Sequence, residues 1–179
     1  MPGPAPLVPS SAKAWKDKAR AMIHELEDSA PSGYDGVLVA PYGAQQTSPV
    51  AGNGRPYALA RLDVIERPFE FKGGRLVLVR LTRVAFVNLL RAMRAVPSIE
   101  VGFGPGTFAS LRTFSMQQQL FEAFQHGGPL AAPPGKSFHH RSSVDLGVRS
   151  EAGRAAMIRH GFFDLLPDDP PHFTFGRRG

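Results

Sequence analysis

The sequence predicts an α+β fold: a small, mainly antiparallel sheet with flanking helices and a helical adjunct at the N-terminus. Two observations lead there. Apolar residues recur at helical spacing in a few separated stretches, and between them lie short apolar runs cut off by Gly and Pro. Strands and helices are thus mixed along the chain with few long βαβ units, which favours antiparallel pairing.

Met1–Ser11 is Pro-rich, carries no charged side chain and reads as a flexible lead. Ala12–Asp28 reads as an amphipathic helix whose buried face is Trp15, Ala19, Met22, Ile23 and Leu26. Ala30–Gly36 reads as a turn, Val37–Ala40 as a short strand and Pro41–Tyr57 as a loop. Ala58–Ile65 and Phe69–Phe71 read as strands, with Lys72–Arg75 as a hairpin turn into Leu76–Leu81. Thr82 is placed to cap a helix over Thr82–Ala95, with an apolar stripe of Val84, Val87, Leu90 and Met93 and a stop at Pro97. Ile99–Val101 is a strand, Gly102–Gly106 a glycine-rich turn and Thr107–Leu111 another strand. Ser115–Phe124 is helical, ended by His126–Pro129. Val144–Val148 is a strand, and Ser150–His160 is a helix with Ser150 as cap and Gly161 just past its end. His172–Phe175 is the last strand. Residues 1–57 therefore form a lead, helix and loop adjunct, and residues 58–179 the main domain.

The 179 residues are 42% hydrophobic, enough for a core without covalent staples. The absence of cysteine excludes disulfides, thiolate metal ligands and a cysteine nucleophile, so any metal must be held by His, Asp or Glu. The formal charge of +6 suits polyanions and equally serves solubility. Basic residues do not gather into a tail or interleave with aromatics on one predicted face, so nucleic acid is not an expected partner. No segment approaches the roughly 20 apolar residues of a membrane span. The first residues lack the basic start and apolar run of a secretory leader.

Three stretches can carry chemistry. The first is Ser137-Phe138-His139-His140-Arg141-Ser142-Ser143-Val144-Asp145. His and Asp suit zinc, which draws its ligand atoms to about 2 Å. Six steps of straight strand would hold His139 and Asp145 roughly 20 Å apart. The chain must therefore bend between them, and Arg141-Ser142-Ser143 can supply the bend. From this stretch alone, a polar loop with two chance histidines is the plainer reading, because isolated His/Asp pairs are common. The second is Asp168-Asp169-Pro170-Pro171-His172-Phe173-Thr174-Phe175, where His172 can supply a third ligand and Asp169 a general base. A loop kept soluble by its acidic residues is the plainer alternative. The third is Ser110-Leu111-Arg112-Thr113-Phe114-Ser115-Met116-Gln117, in which Arg112 can present a bidentate fork to a carboxylate or simply pair on the surface.

Taken together and in order, these stretches resemble the zinc D-alanyl-D-alanine carboxypeptidase family, which includes vancomycin-resistance D,D-carboxypeptidases and phage L-alanyl-D-glutamate endolysin peptidases. Pro134-Gly135-Lys136-Ser137-Phe138-His139 and Val144-Asp145-Leu146-Gly147 are similar to the two ends of its central motif. Asp169-Pro170-Pro171-His172-Phe173 is similar to its downstream motif, and Arg112 through Gln117 to its upstream one, with Thr113 in place of Ser. His160-Gly161-Phe162 looks like the Gly-Phe that follows a helix in that family. The likeness covers residues 82–175. It departs in the central motif, where His139 to Asp145 spans six steps in place of seven and the family's Gly and Ala are absent. His140 is the neighbouring ligand should His139 not reach.

The resemblance implies a zinc site on the sheet with His139, Asp145 and His172 as ligands. It implies Asp169 as the base that activates water and later protonates the leaving amine. Arg112 would hold a substrate carboxylate or the polarised carbonyl oxygen, with Gln117 and Ser137 supporting the site or touching substrate. The implied activity is hydrolysis of peptidoglycan stem peptides by a monomer, as carboxypeptidase or endopeptidase. The alternative is a degraded module that binds the wall, or a structural part of a phage. Without a leader, the wall would be reached as phage lysins reach it, after membrane permeabilisation, or by another export route.

Overall fold

The structure is a computed structural model, and it describes residues 3–29, 63–102, 109–112, 114–134, 136–140, 143–148, 150–164 and 172–176. The readings over 30–62 and 103–108 lie outside the described residues, as does Asp169. In chain order come α1 (Lys13–Asp28), β1 (Val64–Phe71), β2 (Arg75–Thr82), α2 (Arg83–Ala95), β3 (Glu100–Val101), α3 (Phe114–Gln125), β4 (Ser143–Val148), α4 (Glu151–Arg159), β5 (Phe162–Phe163) and β6 (His172–Phe175). Single 3₁₀ turns occupy Lys72–Gly74 and Phe138–His140. The strands form a hairpin, β1-β2, and a sheet of order β3-β4-β6-β5, with every pairing antiparallel. The α+β class expected from the sequence is the class observed.

α1 buries Trp15, Ala19, Ile23 and Leu26, with Met22 partly buried beside them, and packs on α2. Trp15 Nε1–H donates to the Met93 carbonyl (3.3 Å), one of the acceptors that the end of α2 leaves without a helical partner. Arg83 ties the same two helices at their other ends, through Asp63, the Leu26 carbonyl and Ser29. The core runs without a break from Leu7 and α1 through the hairpin and α2 to Val144, Leu146, Phe162 and Phe173.

Several details differ from the sequence reading. The lead is not free along its length: Leu7 is 2% exposed and lies parallel to β1, its N–H donating to the Pro68 carbonyl and its own carbonyl accepting from Glu70 N–H, both at 2.8 Å. Ile65 and Phe69 belong to one strand that runs through Pro68. Pro68 is tolerated because its nitrogen is on the side of the strand away from β2, where the ladder needs no donor. Val84 is 61% exposed, and α2 instead buries Ala85, Phe86, Val87, Leu89, Leu90, Ala92 and Met93. Thr82 stands at the cap position of α2 without a side-chain cap bond. Ala109–Leu111 is a bent connector rather than a strand, and Phe162–Phe163 adds an edge strand. α4 ends as expected: Ser150 Oγ accepts from Gly153 N–H (2.9 Å), and Gly161 takes φ +83°.

The close approach of β3 to β4 requires Gly147. A Cβ there would lie 1.9 Å from the Gly102 carbonyl oxygen, and Gly102 N–H donates to the Asp145 carbonyl (2.7 Å). Gly147→Ala is expected to push β3 away and to destabilise the fold by about 1–3 kcal/mol or more. Urea unfolding followed by fluorescence of Trp15, the chain's single tryptophan, measures this. An unchanged midpoint would mean that the two strands separate at no cost.

Candidate metal centre

Local structure brings three of the expected site residues together. β4 and β6 pair with Asp145 directly opposite His172. Directly opposed residues place their side chains on the same face, with Cβ atoms about 4.5–5.5 Å apart. His139 comes from the 3₁₀ turn that precedes β4. The short link between His139 and Asp145 is closed by Ser143, whose hydroxyl donates across the bend to the Phe138 carbonyl (2.9 Å). Ser137 Oγ accepts from His139 N–H (3.2 Å), and the His139 carbonyl accepts from Arg112 N–H (2.7 Å).

The connector that carries Arg112 is fixed from β2. Arg80 is buried, paired with Glu66 through Nε–H (2.6 Å), and donates to the Leu111 carbonyl (3.2 Å). Its backbone N–H donates to Ser110 Oγ (2.9 Å), and its carbonyl accepts from Leu111 N–H (2.9 Å). The connector also reaches β4, where Asp145 N–H donates to the Ala109 carbonyl (2.8 Å).

His139 Nε2 lies 3.0 Å from Asp145 Oδ1 and 3.0 Å from His172 Nδ1, and His172 Nδ1 lies 3.3 Å from Asp145 Oδ1. The three atoms form a nearly equilateral triangle. Ligand atoms about 2.0–2.1 Å from a tetrahedral ion are about 3.3–3.4 Å apart, so this triangle fits one face of such a site with a small expansion. Ring chemistry agrees. The Ser110 carbonyl, 3.0 Å from His139 Nδ1, can only accept, so Nδ1 carries the hydrogen and neutral Nε2 turns a lone pair toward the other two atoms. Buried groups that face one another through lone pairs need a shared cation or proton. The group His139, Asp145 and His172 can therefore hold a metal ion.

The charge states suit that role. Burial holds the His139 pKa below the ordinary histidine value, against the pull of Asp145, which keeps the ring neutral. Burial also opposes charge on Asp145. Interaction with the two facing imidazoles, His139 first, and with the Arg112 guanidinium outweighs it, and the carboxyl sits well below the usual carboxylate range. Arg112 approaches Asp145 Oδ2 at 3.3 Å, on the other oxygen from the one that faces the histidines. Its second nitrogen donates to Gln117 Oε1 (3.1 Å), and Gln117 Nε2–H donates to the Ala132 carbonyl (2.7 Å). Gln117 is fully buried, so α3 braces Arg112 from behind.

Of the expected site residues, His139, Asp145, His172, Arg112, Gln117 and Ser137 thus belong to one bonded assembly. Sequence reasoning missed the outer partners Ser110 and Thr174, and it placed Ser143 in the bend without its bonds to Phe138 and Thr174. Thr174 had a usable signal: two residues after His172 in a strand, it shares the same face. Ser110 had none, because it acts through its carbonyl. No family model, curated protein or solved structure matches this chain.

The purified protein is expected to retain about one equivalent of divalent metal per chain, as a three-ligand site would. His172→Ala and Asp145→Ala are expected to lose it, by elemental analysis after dialysis. A full equivalent kept by either variant would place the metal elsewhere.

Proposed function

We propose that this chain is a zinc-dependent peptidase that cleaves the stem peptides of bacterial peptidoglycan, as a D-Ala-D-Ala carboxypeptidase or an L-Ala-D-Glu-type endopeptidase. The observation that carries the reading is the convergence of His139, Asp145 and His172, in residue type and chain order the ligand set of the family that the sequence resembles. Nitrogen and carboxylate ligands suit zinc. Three protein ligands, the number among the described residues, are typical of a catalytic site, whereas closed structural sites use four. The six-step spacing of His139 and Asp145 is no obstacle to this reading, since Ser143 closes the shorter bend.

When bound by these residues, zinc supplies Lewis acidity toward a peptide carbonyl and makes water a stronger acid. The remaining work falls to side chains. Asp169 accepts the proton of the attacking water and returns it to the leaving amine. Arg112 adds fixed positive charge beside Asp145, where a stem-peptide carboxylate or the polarised carbonyl oxygen would be stabilised. Gln117 and Ser137 hold Arg112 and the His139 turn in place. The wall is the proposed place of action.

The test is mass spectrometry of purified peptidoglycan fragments incubated with zinc-loaded protein, with a chelator control. Chelator-sensitive products support the reading, and their masses name the bond. A complete lack of products across walls of several chemotypes would leave a wall-binding module as the better description. Asp169→Ala is expected to keep zinc and to lower cleavage about 10²- to 10⁴-fold, the usual contribution of a general base. Undiminished cleavage by that variant would remove Asp169 from the mechanism.

A further inference from the structure

We propose that Thr174 and Ser143 are positioning residues that set the tautomer of His172, leaving its Nδ1 as the bare nitrogen that faces His139 and Asp145. The proposal rests on reading these three residues as a metal centre, and it extends that centre to residues that touch no metal.

The assignment follows from counting hydrogens along one chain of bonds. The Ser143 hydroxyl has a single hydrogen and gives it to the Phe138 carbonyl, 2.9 Å away, an oxygen that can only accept. Thr174 Oγ1 lies 2.9 Å from Ser143 Oγ. With the Ser143 hydrogen already committed, the Thr174 hydroxyl is the donor in that pair. Thr174 Oγ1 then turns only lone pairs toward His172 Nε2, which is 3.0 Å away, so Nε2 carries the hydrogen. A neutral imidazole has one ring hydrogen, and Nδ1 is therefore without one.

Burial and register make the chain of bonds one-directional. Ser143, Thr174 and His172 are all buried, so water does not compete for these hydrogens. Ser143 and Thr174 are a directly opposed pair in the β4–β6 ladder, two steps along from Asp145 and His172 with Val144 and Phe173 between. The chain ends on the turn that presents His139, so the device that orients one histidine also anchors the turn of the other.

The test uses the full chain in four forms: wild type, Thr174→Val, Thr174→Ser and Ser143→Ala. Imidazole ¹⁵N spectra of the metal-free protein at alkaline pH read the tautomer, and calorimetric titration with Zn²⁺ reads affinity. Wild-type His172 is expected as the Nε2–H tautomer. Thr174→Val keeps the shape but removes the acceptor. It is expected to reduce the Nε2–H share and to weaken zinc binding about 10- to 100-fold, the usual effect of losing a partner behind a ligating histidine. Thr174→Ser is expected to restore both. Ser143→Ala frees the Thr174 hydrogen to turn toward Nε2, which drives the ring hydrogen onto Nδ1. It carries the test should Thr174→Val fail to fold by circular dichroism. A wild-type ring protonated on Nδ1 would overturn the assignment, as would wild-type tautomer and zinc affinity in Thr174→Val. A wild-type protein that binds no zinc would overturn the metal reading instead, and the ¹⁵N spectra alone would then decide the role of Thr174.

Discussion

The structure turns on one constraint: two imidazole nitrogens and a carboxylate oxygen are held within 3.3 Å of one another in a buried place. Groups of this kind repel or go unsatisfied when desolvated without a cation or a proton between them. Their side chains are therefore held from outside. His139 is tethered through Ser110, Asp145 through Arg112, and His172 through Thr174. Each tether uses the atom of its residue that points away from the centre, which leaves the inward atoms to one another.

The fold supplies this arrangement through register and one buried arginine. Pairing of β4 with β6 makes Asp145 and His172 neighbours whatever the loops between them do. Arg80 then joins the hairpin to the centre, because its hydrogen bonds fix the Ser110 side chain and the Leu111 backbone, immediately before Arg112. Arg80 is itself neutralised by Glu66 on the neighbouring strand, so a buried charge in the hairpin is partnered and put to use in orienting the connector. A second brace comes from α3, where buried Gln117 spans from Arg112 to the Ala132 carbonyl.

Much of the fold was legible because it rests on local signals. The period of α1, the double glycine of the hairpin turn and the Ser150 cap are short-range features, and each fell where the sequence indicated. The errors arose where tertiary partners decide. Val84 fits an apolar stripe on its own helix but faces outward, because the hairpin and α1 cover the other side of α2. Ala109–Leu111 has strand-like residues but takes its hydrogen bonds singly, from β2 on one side and β4 on the other, and so never joins a ladder. The three ligand candidates were legible from residue type and order. Their outer partners were not, since a backbone carbonyl such as that of Ser110 has no signature in a sequence.

The docking of Leu7 on β1 has a consequence for how copies of this chain meet. A two-stranded hairpin presents outer edges with unspent N–H and C=O groups, which invite another chain to add a strand. On the outer side of β1 the Pro68 nitrogen has no hydrogen to offer, while the Pro68 carbonyl and the Glu70 N–H are already engaged by Leu7. The N-terminal segment thus acts as a selvedge on the hairpin, closing over the stretch where β-sheet growth between molecules would otherwise start.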